Sequence, residues 1–428
     1  MSYTLLAVFL VLAALGVPLA VALGLGVIAT LLVFDLPLDL VPQSMYTSMN
    51  SFLLVAVPLF ILAGNIMAGG GISDRIFHAA EAVVGRWRGG LGQVNILGSA
   101  VFGGISGSSV ADVASLGQIE IKAMTDHKYP RDYAAAMTMV TSTLSSVIPP
   151  SILMIVAAAA AGESIGAALA GGIGPSVVFI VSLMVLNYVT AVRRGYGEVS
   201  RTSLRAAVRS IAVGLPALGG PVVILGGIFG GFVTPTEAAG LAVVYSLAVG
   251  VLLYRDLGVR AIPGMLIRSG VSTGTVLFIA MVASAASYIF TIDGLPVRVS
   301  TAVAEVSDDP TVVMLLLGVV LVLVGTVMDI IAAILILVPV LMPTALAVGI
   351  DPIHFVVFLV AALSFGLVTP PVGVCLFATS YVSRLPIERI ARASRPHYLI
   401  MLVALVVLAV VPQVTLWPVE LLTDRGVP

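Results

Sequence analysis

The sequence predicts an all-α polytopic membrane protein made of two inverted-topology repeats, each holding a re-entrant helical hairpin and a broken transmembrane helix. Three observations carry that prediction. Of 428 residues, 60% are hydrophobic and 10% charged, against about a quarter charged in a soluble globular chain, and apolar runs long enough to cross a bilayer recur from end to end. Two diproline pairs, Pro149-Pro150 and Pro370-Pro371, interrupt apolar stretches that otherwise read as helix. The basic flank of the interrupted helix then changes sides from one half to the other.

The chain starts with "MSYTLLAVFLVLAALGVPLAVALGLGV", where no Lys or Arg precedes the apolar run. It reads as retained spans, since a cleaved leader carries a basic start. The first basic side chain is Arg75, and the rest cluster at 75–88, 122–131, 193–209, 255–268 and 384–395. The positive-inside rule makes those segments cytoplasmic. The stretches 35–50, 162–164 and 344–354 carry none, and 291–310 sets Arg298 alone against Asp293, Glu305, Asp308 and Asp309; these are assigned outside. "SDRIFHAAEAVVGRWRG" (73–89) alternates apolar and charged residues at helical spacing. That pattern suits an interfacial helix, with Arg86, Trp87 and Arg88 anchoring it among headgroups.

Proline at a helix interior removes a donor and frees the carbonyl four residues back. Pro149 and Pro150 therefore free Ser145 and Ser146. In lipid such carbonyls must be satisfied by protein, water or an ion. Ser145, Ser146 and Ser151 surround the first break, Thr369 and Gly373 the second, and their hydroxyl and carbonyl oxygens suit a hard cation such as Na+. Upstream of the first break, "FGGISGSSVADVASLG" (102–117) holds a Gly/Ser run hostile to a helix centre, so a hairpin with its tip at 106–109 is expected. The second half offers "LVLVGTVMDIIAAILILVP" (321–339), with Gly325 and Thr326 at the tip and Asp329 just beyond. Asp112 and Asp329 are carboxylates in apolar surroundings, functional by default or helix caps.

The halves correspond elsewhere too. "GNIMAGGGISDRI" (64–76) parallels "SYIFTIDGLPVRV" (287–299), and "GVPLAVALGL" (16–25) parallels "FVTPTEAAGL" (232–241). In the first half "KAMTDHKYPRD" precedes the broken helix and "AAAAGESIG" follows it. In the second, "ALAVGIDPIH" precedes and "SRLPIERIARASRP" follows. The copies therefore cross in opposite senses, as in many secondary transporters. Five segments are expected: scaffold helices and the interfacial helix in 1–92, a first transport half in 93–192, further scaffold in 193–290, a second transport half in 291–415, and a tail in 416–428.

"VPLFILAGNIM", "FGGISGSSVADVASLG", "VIPPSI" and "VTPPVGV", in this order and spacing, resemble the large membrane subunit of TRAP (tripartite ATP-independent periplasmic) transporters, over essentially the whole chain. The resemblance implies a Na+-driven importer of the ion-transporter superfamily in a bacterial or archaeal cytoplasmic membrane. It would work by an elevator movement of a transport domain against a scaffold. One Na+ would sit at Ser106, Ser108, Ser109 and Pro149; another at Gly325, Thr326, Asp329, Thr369, Pro370 and Gly373. A small organic acid anion would lie between, with Ser108, Asp112, Ser145, Ser151, Thr369 and Pro371 as its candidate contacts. The cargo classes implied are a C4-dicarboxylate, sialic acid, another sugar acid or a keto acid. Two partners are implied: a small four-helix membrane subunit and a periplasmic substrate-binding protein.

Other classes fit worse. A channel needs a continuous polar pore, whereas polar residues here gather at two breaks. A Na+-coupled anion transporter without a binding protein is the nearer alternative. Catalysis is disfavoured: His78, His127, His354 and His397 are scattered, there is no HExxH, and lone histidines near loop ends read as surface or interfacial. A structural scaffold leaves the paired breaks unexplained. The single cysteine, Cys375, rules out an internal disulfide framework, and no basic run points to nucleic acid. The methionines are too dispersed for a copper path. Glu237, after Pro235, reads as a first-turn helix partner.

Overall fold

A computed structural model describes residues 1–49, 55–69, 72–196 and 204–423, which are all-helical, with no strand among them. Five of the described helices are long and apolar enough to cross a membrane: Ile165–Arg194, Ala207–Phe229, Pro235–Leu253, Val259–Ile292 and Ile330–Ala347. Their outward faces keep Val181, Val185, Val222 and Leu266 exposed, apolar side chains that only a lipid surround leaves without cost. This is a multi-pass membrane protein.

Local chemistry sets many helix starts. Asp309-Pro310 and Asp351-Pro352 each place a carboxylate cap before a proline at the first helical position. Asp309 accepts from Thr311 and Val312 amides at 2.8 and 3.1 Å, and Asp351 from that of His354 at 3.0 Å. Thr234 and Glu237 form a reciprocal capping box, the first-turn role expected of Glu237. Ile72–Val84 is a helix, as the amphipathic pattern of 73–89 predicts, and Trp87 beyond it is exposed.

Both diproline segments break their helices. The first interrupted helix runs Arg131–Thr141, continues through the short Leu144–Val147, breaks, and resumes as Ile152–Ala161, bent by 43°. The second runs Pro352–Gly366 and resumes as Val374–Ser383. Both Pro-Pro bonds are cis. The first hairpin pairs Gly90–Ser106 with Ser109–Ser115, extended by Gly117–Asp126; the second pairs Pro310–Gly325 with Ile330–Ala347.

The same packing recurs in both halves. Each hairpin's first arm lies on the leading part of its own interrupted helix: Gly90–Ser106 on Arg131–Thr141, and Pro310–Gly325 on Pro352–Gly366. Each second arm crosses to the other half: Ser109–Ser115 against Val374–Ser383, and Ile330–Ala347 against Ile152–Ala161. Around this core, Leu19–Val33 packs between Ser2–Ala14 and Ile262–Ile292, just as Pro235–Leu247 packs between Leu204–Phe229 and Ala56–Gly69. Pro352–Gly366 is the centre, buried at every residue from Ile353 to Gly366. The segment boundaries expected from sequence, at 92, 192, 290 and 415, each lie two residues inside a helix end.

The histidine expectation needs correcting. His78 and His127 are exposed, but His354 and His397 are buried, because their helices Pro352–Gly366 and Arg395–Val410 turn those faces into the core.

Candidate functional site

A cavity of about 240 Å³ lies where the two hairpin tips meet the two helix breaks. Its wall takes Ser106, Gly107, Ser108 and Ser109 from the first tip, with Ser146 and Ile152 from either side of the first break. Asp329 and Ile330 come from the second tip, and Leu367 and Val374 from either side of the second break. Asn65 and Ser272, from the flanking helices Ala56–Gly69 and Ile262–Ile292, close it.

The first tip is shaped by two residues. Gly107 takes a left-handed turn (φ +59°), and a Cβ there would come 2.9 Å from the Ile152 amide nitrogen, so the tip's backbone rests on the restarted helix. Ser108 is extended and caps Ser109–Ser115, accepting from the Ala111 amide at 3.4 Å. Ser109 and Ser146 hydroxyls share a hydrogen bond at 2.6 Å, tying the tip to the break. At the second tip Asp329 caps Ile330–Ala347, accepting from Ile331 and Ala332 amides at 3.0 and 3.3 Å, and Gly373 donates its N–H to the Thr326 carbonyl at 3.0 Å. Thr326 and Thr369 hydroxyls each donate to a carbonyl of the preceding turn, Leu323 at 2.7 Å and Phe365 at 2.8 Å.

The geometry decides between open alternatives at two places. Asp112 is in the first turn of its helix without capping it, since Ser108 takes that position; the Asp112 carboxylate instead turns inward and accepts from Ser145 Oγ at 3.0 Å. The carbonyl of Ser146, freed by Pro150, has a protein partner: Ser151 Oγ donates to it at 2.5 Å while accepting from the Met154 amide at 3.3 Å. At the second break the Gly366 and Leu367 carbonyls, freed by Pro370 and Pro371, accept from the Thr369 and Cys375 amides. Serine and main-chain donors thus replace the missing proline N–H groups.

Of the residues singled out from sequence, Ser106, Ser108, Ser109 and Asp329 line the cavity. Asp112, Ser145, Ser151 and Pro149 are buried behind it, Gly325, Thr326 and Gly373 are buried in the second hairpin–break junction, and Thr369 is half-buried beside them. Pro370 and Pro371 are exposed and off the cavity wall. Ser146, named with the first break, is on the wall as well, and two polar wall residues lay outside the expected set. Asn65 is a polar side chain inside the quoted run "VPLFILAGNIM". Ser272 has no local signal, because one serine in a long apolar helix is ordinary. Asn65 donates to Ser269 Oγ at 2.8 Å, joining the two flanking helices behind the wall.

Chemically the wall offers serine hydroxyls, the Asn65 amide, the Asp329 carboxylate and three helix N-termini, those of Ile152–Ala161, Ile330–Ala347 and Val374–Ser383. Helix N-termini favour anions. Off the wall, at the second junction, the Thr326 and Thr369 hydroxyls donate to carbonyls and keep their lone pairs for a cation.

The comparisons with known proteins agree on the family. The profile of the tripartite ATP-independent periplasmic transporter, DctM component, matches residues 6–414. The chain is 36% identical to the sialic acid TRAP transporter large permease protein SiaM of Vibrio cholerae over 90% of each chain. It is 38% identical to the C4-dicarboxylate TRAP transporter large permease protein DctM of Pseudomonas aeruginosa over 92% of this chain and 93% of that one. The isethionate TRAP transporter permease protein DctMQ of Oleidesulfovibrio alaskensis is 36% identical over 96% of this chain, which spans 65% of that longer protein. The fold is similar to that of the Alcanivorax borkumensis YdaH transporter, with a TM-score of 0.66, 16% identity and 88% of each chain covered. These relatives are permeases and transporters, not enzymes. The chain belongs to the DctM-component family of tripartite ATP-independent periplasmic transporters, as a large permease component.

Proposed function

We propose that this chain is the large membrane subunit of a Na+-driven importer of a small organic acid anion, working in a bacterial or archaeal cytoplasmic membrane. The observation that carries the reading is the convergence of both hairpin tips and both helix breaks on one cavity. Relatives are named for sialic acid, C4-dicarboxylates and 2,3-diketo-L-gulonate, and an anionic cargo of that class suits a wall made of helix N-termini and serine hydroxyls. Ser108 and the three N-termini hold its carboxylate, while Asp112 acts from behind the wall by tying the first hairpin to the first broken helix through Ser145. Na+ binds as co-transported cargo. Ser106, Ser108, Ser109 and the Pro149 carbonyl form one oxygen-rich locus, and Gly325, Thr326, Thr369, Pro370 and Gly373 the other.

The repeated packing and the exchanged basic flanks support an inverted-topology repeat, and a transport domain of hairpins and interrupted helices moving against the outer helices. Each Na+ moving down the membrane potential supplies about 2.3 kcal/mol per 100 mV, before its concentration gradient. A periplasmic binding protein hands over the anion. A small membrane subunit completes the permease, a reading supported by the length of the DctMQ relative beyond this chain's match.

The test is uptake into proteoliposomes holding this chain with its small partner, supplied with the loaded binding protein. An inward Na+ gradient is expected to drive accumulation that saturates with cargo. Equal uptake with and without the gradient would overturn sodium coupling; non-saturating flux would favour a channel.

A further inference from the structure

A second hollow, of about 640 Å³, lies away from the cavity, between Gly117–Asp126 and the end of Val374–Ser383. Lys122, Arg131 and Arg384 line it, opposed by the single carboxylate of Asp126. All three cations are exposed, and none has an ion pair or hydrogen bond among the described residues. Their neighbours differ. Arg389 pairs with Asp132 at 3.4 Å, which commits the carboxylate adjacent to Arg131, and Arg75 pairs with Asp256 at 2.5 Å. Gln118 and Thr125 add neutral donors to the same wall.

Three like charges around a hollow repel one another, and with one opposing acid the wall keeps a net charge of +2. Such a wall is completed by a compact, multiply charged anion accepting several charge-assisted hydrogen bonds, which arginine forks make best to phosphate. The cations come from two stretches far apart in sequence, 122–131 and 384–395, both assigned to the cytoplasmic face from charge alone. Their meeting at one hollow places them on the same side.

We propose that this hollow is a cytoplasmic-face binding site for a phosphate-bearing anion, held by Lys122, Arg131 and Arg384. Occupancy links the rear of the first hairpin to the second interrupted helix. That helix reaches the transport cavity at Val374 and the hollow at Tyr381, about 10 Å further along its axis. The proposal concerns binding alone and does not rest on the transport reading.

The probe is inorganic pyrophosphate, added to the purified full chain in nanodiscs of phosphatidylcholine while thermal unfolding is followed at constant ionic strength. A parallel arm replaces part of the phosphatidylcholine with phosphatidylglycerol and adds no pyrophosphate. A rise in unfolding temperature in the first arm identifies a soluble phosphate ligand; a rise in the second alone identifies a lipid headgroup. In either case Lys122→Gln and Arg384→Gln should each weaken the response about tenfold, the loss of one charge-assisted contact, and Arg389→Gln should leave it intact. No response in either arm, an equal response in wild type and both variants, or the same loss in Arg389→Gln would overturn the site.

Discussion

Two side chains at the break separate architecture from function. Asp329 caps a helix and also lines the cavity. Asparagine can cap almost as well as aspartate, while alanine cannot, at a cost of about 1 kcal/mol. Asp329→Asn should therefore keep its unfolding temperature in detergent and Asp329→Ala should lose a few degrees. If the charge serves transport, both should lose uptake. An Asp329→Asn variant transporting at wild-type rate would reduce the residue to a cap. Ser151 is the opposite case, off the cavity wall and needed for the fold. Ser151→Ala removes the donor to the Ser146 carbonyl and the cap of Ile152–Ala161 together, so a loss of about 2–3 kcal/mol is expected from the orphaned buried carbonyl and the missing cap. Thermal unfolding checks it directly, and an unchanged midpoint would show that water replaces the hydroxyl.

Elements were legible where a covalent rule decides them. Diproline forbids a continuous helix whatever surrounds it, so both breaks could be located from sequence, and "SGSS" located the first tip. Side-chain direction was not legible. Asp112 and Ser145 read as wall residues because they flank the tip and break, but they turn away into the core. Burial on a helix that touches its neighbours all round has no strong hydrophobic periodicity to betray it. Close glycine contacts were equally hidden. A Cβ on Gly325 would sit 2.6 Å from the Leu363 carbonyl oxygen and 3.2 Å from the Gly366 Cα, and one on Gly103 would sit 2.5 Å from the Ser145 Cα. Gly366→Val should force the second hairpin off its interrupted helix, destabilising the chain by about 1–3 kcal/mol and lowering uptake through both loss of fold and a displaced tip. A folded, fully active Gly366→Val would contradict this packing.

At the scale of the molecule, the family and the helical class were visible in four short motifs, whereas the proposed partition into moving and static parts concerns relative displacement, which no motif encodes. A cross-link tests it. Gly64 belongs to a flanking helix and Ser106 to the first tip, and a Cβ on Gly64 would lie 3.5 Å from the Ser106 Cα, within reach of a disulfide. In a Cys375→Ala background, free of native cysteine, Gly64→Cys with Ser106→Cys should cross-link under oxidation, and whatever uptake the reduced variant keeps, Ser106 being a proposed Na+ ligand, should be lost on oxidation and return with reductant. Uptake that continues through a complete cross-link would rule out relative movement of tip and flanking helix. The N-terminal helix offers a contrasting fixed contact. The Ser2 amide donates to Asp293 at 2.9 Å and Arg298 pairs with the same carboxylate, holding Ser2–Ala14 to the loop before Leu295–Ala304.

The glycine contacts in both halves have a mechanical corollary. In the second half bare main chain meets bare main chain, with no rotamers through which to loosen gradually, and in the first Gly103 bears on Ser145, so each hairpin is held close at one point of its first arm to the slab beneath it. Two freedoms survive: the slab can travel whole, or the flap beyond that point can lift. Any gating of the chamber that leaves the slab in place must be confined to the few residues of the two turns.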